Sequence, residues 1–337
     1  MDKTAIVGTT SWGTTLGILL ANKNIEVTLL ARTRGEAEEL NRVRENKAFL
    51  PGIALPPGLG VTASTGEALE GAALVILATP SQTLRNNIHA IKSFLGKSHI
   101  ILSAAKGIEV ESLLRMSQVI AEEVPGDLRR NICVLSGPNI ALEIARGLPA
   151  AAVVAAPYKK VREKVQQILG CSAFRVYTNE DVTGVELGGA LKNIIALGAG
   201  MCDGLGLGDN TKAAFMTRGL AEIARLGVAM KARPLTFSGL AGVGDLIVTC
   251  SSKLSRNYST GYRLATGQPL QEIIDSMRGV AEGVPTSIAA YRLSQKLRVE
   301  APLTAVINRV LFEDLSPRDA LSLMMERPAG KELTRGA

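Results

Sequence analysis

The sequence predicts an α/β half built on a parallel sheet, followed by an all-α half. Three observations support this. Apolar, β-rich runs alternate with helical-period segments through residues 1–180, whereas residues 181–330 show helical periodicity and no convincing strand. The unusual residues of the first half also fall just past the ends of its apolar runs. Residues 331–337 read as a polar tail.

In order, Thr4–Val7, Ile25–Ala31, Ala73–Thr79, Ile100–Ala104 and Ile132–Ser136 read as strands, with Gly13–Lys23 and Gln82–Leu95 among the helices between them. Near-continuous apolar strands interleaved with helices indicate a sheet covered on both faces. Ligands of such sheets bind beyond the carboxyl ends of the strands. There the chain places Gly8–Gly13, Arg32 and Arg34, Pro80 in ATPSQ, Lys106 in SAAKGIE, and Gly137-Pro138-Asn139 in LSGPN. In the second half, Lys212–Met230, Gln271–Met277, Val284–Lys296 and Leu303–Leu311 read as helices, and Asp181 suits the N-cap of the long helix around Lys192.

Composition narrows the chemistry. With 46% hydrophobic and 20% charged residues, the 337-residue chain has the makeup of a globular protein with room for two cores. No run reaches the roughly 18 consecutive apolar residues of a membrane helix, so membrane insertion is not expected. Cys133, Cys171, Cys202 and Cys250 lie far apart, so neither a disulfide framework nor a metal site is indicated, and a reducing cytoplasmic location fits. The two histidines, His89 and His99, read as surface residues, which removes histidine-based nucleophile chemistry. The net charge of +7 comes with only 4% aromatics, which argues against nucleic acid and for small anionic ligands. The basic run Lys159–Lys164 reads as a solvated helix face.

Two segments carry the chemistry. Val185–Gly208 is an apolar, glycine-rich run with one amine, and helical spacing puts Lys192 on its buried face. A lysine there either snorkels to water or is paired and used, because burial disfavours its charge. The small residues around it permit close approach of a ligand, of another backbone, or of a second subunit in a homodimer. Gly8-Thr9-Thr10-Ser11-Trp12-Gly13 follows a strand and opens a helix, as a dinucleotide fingerprint does, although Thr10 occupies the second glycine position. At the end of the second strand Arg32 and Arg34 stand where an NAD site has an acidic residue, and such a pair favours the 2′-phosphate of NADP over NAD.

With these pieces in order, the chain resembles the bacterial NAD(P)-dependent glycerol-3-phosphate dehydrogenase family. The matching segments are GTTSWGTTLG, ATPSQ, AAKGIE, LSGPN, VELGGALKNIIALGAGMCDGLGLGDN, LAGVGDLIVTC and SRNY, spread along nearly the whole length. The family pattern has glycine at the Thr10 position and Ser or Thr at the Asn139 position. The resemblance implies a Rossmann-type domain plus a helical domain of the 6-phosphogluconate dehydrogenase type. It implies cofactor contacts at Ser11, Trp12, Arg32, Arg34, Lys106, Ala141, Arg256, Val280 and Glu282. Substrate contacts are implied at Lys106, Gly137, Asn139, Lys192, Asp245, Ser255, Arg256 and Asn257. The implied reaction is reversible hydride transfer between dihydroxyacetone phosphate and sn-glycerol 3-phosphate, a precursor of phospholipids.

That reaction puts negative charge on the carbonyl oxygen, which a cation must stabilise and then protonate. Lys192 is the candidate for both tasks, with burial and the nearby amine of Lys106 each expected to lower its pKa. Asn193 and Asp245 are candidates to orient the amine or the substrate hydroxyl. Ser255-Arg256-Asn257 has the composition of a phosphate clamp. Two alternatives stay open: a related 3-hydroxy-acid dehydrogenase, which needs a carboxylate pocket in place of this clamp, and a non-catalytic nicotinamide-binding redox sensor.

Overall fold

The computed structural model describes residues 3–326. They form two compact units, one built from the chain up to Ala105 together with Met116–Val182, the other from Lys106–Arg115 together with the chain from Thr183 onward. The polar tail at 331–337 lies outside the described residues. The segment Lys106–Arg115 leaves the sheet after its fifth strand and is grouped with the helices, with Ile108 fully buried in their core.

The first unit is an eight-stranded sheet: β1 (Lys3–Val7), β2 (Val27–Leu30), β3 (Leu59–Thr62), β4 (Ala72–Leu77), β5 (Ile100–Ser103), β6 (Ile132–Ser136), β7 (Ala150–Ala155) and β8 (Phe174–Asn179). Its order is β3-β2-β1-β4-β5-β6-β7-β8. The chain runs outward from β1 to β3 and returns on the other side of β1 as β4. The carboxyl ends of β1 and β4 therefore flank the point where strand order reverses, which is where such sheets bind ligands. Helices α1 (Ser11–Ala21), α2 (Arg34–Val43), α3 (Thr65–Leu69), α4 (Leu84–Ile91), α5 (Met116–Glu123), α6 (Ala141–Ala145) and α7 (Lys159–Leu169) link the strands.

All five strands expected from sequence are present, but the sheet is not wholly parallel. β7 runs antiparallel to β6, with Val134 opposite Ala155, because the short link through α6 brings the chain back along its neighbour. Three strands were not read from sequence. β3 is LGVT, too short to show a period, and β7 is AAAVVA, whose alanines carry little strand preference. β8, FRVYTN, alternates buried and exposed residues as an edge strand does. Two surface assignments also fail. His99 is buried, with its imidazole against Gly96. Arg162, inside the basic run, is buried and donates to the carbonyls of Ala156 and Pro157 and to Glu180.

The second unit packs α8 (Val182–Gly204), α9 (Gly208–Ala229), α10 (Asp245–Ser251), α11 (Arg256–Ala265), α12 (Leu270–Asp275), α13 (Gly283–Leu297), α14 (Pro302–Phe312) and α15 (Pro317–Met325). α8 is long and apolar enough to cross a membrane by length and composition, yet 94% of its most apolar window is buried inside the protein. No other described helix meets that test. The glycines of α8 serve packing within this unit. A Cβ on Gly188 would overlap the carbonyl of Ala241, and one on Gly200 would overlap that of Tyr258. The small-residue face on which the sequence permitted a homodimer is therefore already covered by the chain itself.

Candidate active site

In the sheet unit, β1 is followed by Gly8, whose φ of +106° places it in a region that suits glycine. Gly13 lets α1 approach the loop, because a Cβ there would run into the Gly8 carbonyl. Thr10, in the position of the second fingerprint glycine, has its own use: it is the N-cap of α1. Its hydroxyl accepts from Gly13 N at 3.1 Å and donates to Ala78 O at 2.7 Å, joining the loop to the end of β4.

The predicted cofactor residues of this unit surround that loop. Ser11 donates to Phe49 O at 2.5 Å. The indole of Trp12 packs against Phe174, with ring centroids 6.4 Å apart. Ala141 opens α6, and its carbonyl accepts from Thr15 Oγ1 at 3.1 Å. Arg32 and Arg34 are exposed but not unopposed. Arg32 Nε lies 3.5 Å from Glu36, and Arg34 Nε donates to Glu38 at 2.7 Å. Glu36 also accepts from Thr9 Oγ1 at 2.5 Å and from the backbone N–H of Arg32 at 3.1 Å. Sequence reasoning missed Glu36, although Thr33-x-x-Glu36 is a helix-start signature and Thr33 does cap α2.

Gly137, at φ +134°, and Asn139 follow β6. The Asn139 amide donates to the carbonyls of Pro138 and Ala151 at 3.1 and 3.0 Å. Its Oδ1 is buried without a hydrogen-bond partner, as are Thr79 Oγ1 just past β4 and Ser103 Oγ at the end of β5. Orphaned buried polar atoms are rare. Three at neighbouring strand ends, together with the glycine-lined loop, fit a polar ligand such as a dinucleotide.

The helical unit holds a compact ion cluster. Lys192, on α8, is 8% exposed and donates to Asp245 Oδ1 at 2.7 Å and to Thr249 Oγ1 at 2.6 Å. Lys106 is 17% exposed and donates to Asp245 Oδ2 at 2.5 Å. One fully buried carboxylate thus pairs with two lysines, one on each of its oxygens. Local sequence explains the placement. A π turn over Leu240–Gly244 precedes α10, its backbone sits in the space left by Gly188, and Lys192 lies one helical turn further along the same face. Thr249, one turn beyond Asp245, donates to the Asp245 carbonyl at 2.6 Å. It too was missed from sequence, where the mark was a polar residue at i+4 inside an apolar helix.

Burial drives the Lys106 pKa down to about 8, with the Asp245 charge opposing the fall and the Lys192 charge adding to it. For Asp245, burial works to raise the pKa, but the two ammonium groups outweigh it and hold the carboxyl below its ordinary value.

A chain of amides ties this cluster to α11. Asn193 Nδ2 donates to Lys106 O at 3.3 Å, Asn257 Nδ2 donates to Asn193 Oδ1 at 2.8 Å, and Gly283 N donates to Asn257 Oδ1 at 2.8 Å. The Asn257 amide thus joins α8, α11 and the start of α13. Ser255 is the N-cap of α11, its hydroxyl accepting from Tyr258 N at 3.3 Å. Arg256 is the first residue of that helix and stays exposed, with the Glu282 carboxylate within electrostatic reach. An arginine at a helix N-terminus combines a guanidinium with free backbone N–H groups, a combination suited to an anion. Val280 is exposed, and Glu282 directly precedes α13.

Comparison with known proteins agrees with this reading. Residues 3–162 match the family model described as the N-terminus of NAD-dependent glycerol-3-phosphate dehydrogenase, and residues 181–322 match that of its C-terminus. A protein of Dehalococcoides mccartyi named glycerol-3-phosphate dehydrogenase (NAD(P)+) is 50% identical over 334 residues, 99% of this chain and 93% of its own length. One of Pelotomaculum thermopropionicum with the same name is 50% identical over 98% of this chain and 95% of its own. The crystal structure of glycerol-3-phosphate dehydrogenase from Coxiella burnetii is similar with a TM-score of 0.92 at 34% identity, covering 97% of this chain and 99% of that one. With both halves matched and half of all residues shared, the chain belongs to the NAD-dependent glycerol-3-phosphate dehydrogenase family.

Proposed function

We propose that this chain reduces dihydroxyacetone phosphate to sn-glycerol 3-phosphate, reversibly, with NADPH or NADH. The observation that carries the reading is the buried Asp245 carboxylate, bridged by Lys192 and Lys106 and tied through Asn193 and Asn257 to the arginine-headed start of α11. A redox sensor has no use for two buried amines. A 3-hydroxy-acid enzyme has no use for a phosphate-type anion site beside them.

When bound, the reduced nicotinamide supplies a hydride to C2 of the ketone. The residues do the rest. Asp245 and Thr249 fix Lys192 Nζ, and its ammonium opposes the charge that develops on the carbonyl oxygen. Lys192 then gives that oxygen a proton, a task that contributes about 10²–10⁴-fold when a positioned group performs it. In the oxidative direction the neutral amine takes the hydroxyl proton back. Lys106, still mostly charged at neutral pH, keeps the site cationic for an anionic substrate. Arg256 holds the phosphate, at about 1.5–3 kcal/mol for each charged hydrogen bond.

In the sheet unit, Ser11, Trp12 and Ala141 frame the pyrophosphate loop, and Arg32 and Arg34 read the 2′-phosphate. NADP is the preferred form, by about tenfold rather than more, because each arginine already shares a carboxylate and only a low-end charged hydrogen bond is gained. All four cysteines are free thiols, which suits a compartment that keeps thiols reduced. The experiment is a spectrophotometric one. Purified protein with NADPH and dihydroxyacetone phosphate consumes the nicotinamide absorbance, and does so far more slowly with a 3-oxo acid. No oxidation with the ketone phosphate refutes the reading.

A further inference from the structure

The Arg256 guanidinium rests against the loop between α12 and α13, at Gly279. That glycine has φ +104°, and the three nearest atoms to a Cβ built on it all belong to Arg256: Nη1 in overlap, Cζ at 3.4 Å and Cδ at 3.9 Å. The space that any other residue's side chain would fill is the space the guanidinium occupies. Gly267 provides a contrast within the same unit. Its φ of +93° demands the same unusual backbone, yet a Cβ there meets nothing within 4 Å.

We infer that Gly279 is a positioning residue for the substrate phosphate, its missing side chain forming the recess in which the Arg256 guanidinium lies. The inference rests on the reading of Arg256 as the phosphate ligand. A guanidinium recognises phosphate through a rigid fork whose hydrogen bonds weaken steeply outside about 2.7–3.2 Å. A methyl group at Gly279 pushes the end of a flexible side chain, so the fold survives while the fork is displaced. Displacement by about 1 Å is enough to lose as much as two orders of magnitude in a positioned interaction. Gly279 also precedes Val280 and Glu282, so one loop sets both the recess and two of the proposed cofactor contacts.

The test is steady-state kinetics with saturating NADPH on wild type, Gly279→Ala, Gly267→Ala, Arg256→Leu and the double variant Gly279→Ala/Arg256→Leu, with inorganic phosphate as competitor. In Gly279→Ala, KM for dihydroxyacetone phosphate and Ki for phosphate should both rise about tenfold or more, the lower end for loss of a charged hydrogen bond. Unphosphorylated dihydroxyacetone, a poor substrate, should be reduced as by wild type. Gly267→Ala carries the backbone strain alone and should stay within about twofold of wild type on every constant. On the Arg256→Leu background, Gly279→Ala should add less than about twofold, since residues acting through one group are not additive. Gly279→Asn, which tolerates left-handed backbone, replaces the alanine variant should that one not fold.

If Gly279→Ala matches Gly267→Ala in KM and phosphate Ki, or keeps its full effect without Arg256, the inference is wrong while the phosphate reading stands. If Arg256→Leu itself leaves KM and phosphate competition unchanged, the phosphate reading fails and the inference with it.

Discussion

Arg32 and Arg34 of the sheet unit keep 73% and 89% of their side chains exposed and meet Glu36 and Glu38 one helical turn away. Lys192 and Lys106 of the helical unit are 8% and 17% exposed and share both oxygens of one carboxylate. Exposed pairs contribute about 0–1 kcal/mol, so those arginines can exchange a carboxylate for a ligand phosphate with little loss. Breaking a buried pair costs about 3–5 kcal/mol, so the lysines stay where Asp245 holds them. On the proposed reading, the cofactor is met by adjustable charges and the chemistry is performed by fixed ones.

The sharpest way to break that comparison is Asp245→Asn. It strands two ammonium groups in a buried site, and the expected result is a loss of about 3–5 kcal/mol in denaturant-measured stability. The fall in kcat should reach about 10²–10⁴-fold, because Lys192 loses its orientation. A change below about 1 kcal/mol would class the cluster with surface pairs. Arg256→Leu comes next, raising KM for dihydroxyacetone phosphate by roughly 10- to 100-fold through the loss of one or more charged hydrogen bonds. Equal loss on unphosphorylated dihydroxyacetone would make Arg256 structural. Arg32→Ala and Arg34→Ala should each weaken NADPH by about tenfold, the low end for a charged hydrogen bond, and affect NADH much less. Equal loss for both cofactors would remove their role in reading the 2′-phosphate.

The smallest expected effect concerns pH. The Lys106 pKa is lowered to about 8 in the folded chain, against 10.5 for a free lysine. Below about 8 both folded and unfolded chains hold the proton and the penalty of burying that charge is fully present. Between about 8 and 10.5 the unfolded chain binds more protons, so stability rises with pH. Wild type should therefore gain a few degrees in Tm over that range relative to Lys106→Met. Identical pH slopes in the two proteins would show that Lys106 is not the titrating group.

How legible this was depended on whether the signal was local. The strand–loop–helix alternation, the burial of Lys192 and the phosphate-type composition of Ser255-Arg256-Asn257 all lie in short stretches of sequence. β7 was hidden because alanine-rich AAAVVA resembles a helix as much as a strand, and its antiparallel direction depends on the length of the connection. Glu36 stayed hidden because its partners, Thr9 and Arg32, come from two different loops. The meeting of Lys106 with Asp245 spans 139 residues, and nothing in SAAKGIE announces that the chain leaves the sheet there. The part of Asn257 that lay beyond local sequence is its link between helices: its amide donates to Asn193 of α8 and accepts from Gly283 at the start of α13. Residue types suited to the chemistry are legible along the sequence; which of them meet one another is decided by the fold.

Lys192→Met tests most directly whether Lys192 is the proton donor, since methionine fills similar space without an amine and leaves Asp245 its pair with Lys106. The measurement is kcat for dihydroxyacetone phosphate reduction, with cooperative unfolding and NADPH affinity checked on the same sample. A fall of at least about 10²-fold in kcat, with NADPH affinity little changed, is the predicted result. Turnover near that of wild type in the folded variant would contradict it and leave Lys192 a buried lysine that serves packing alone.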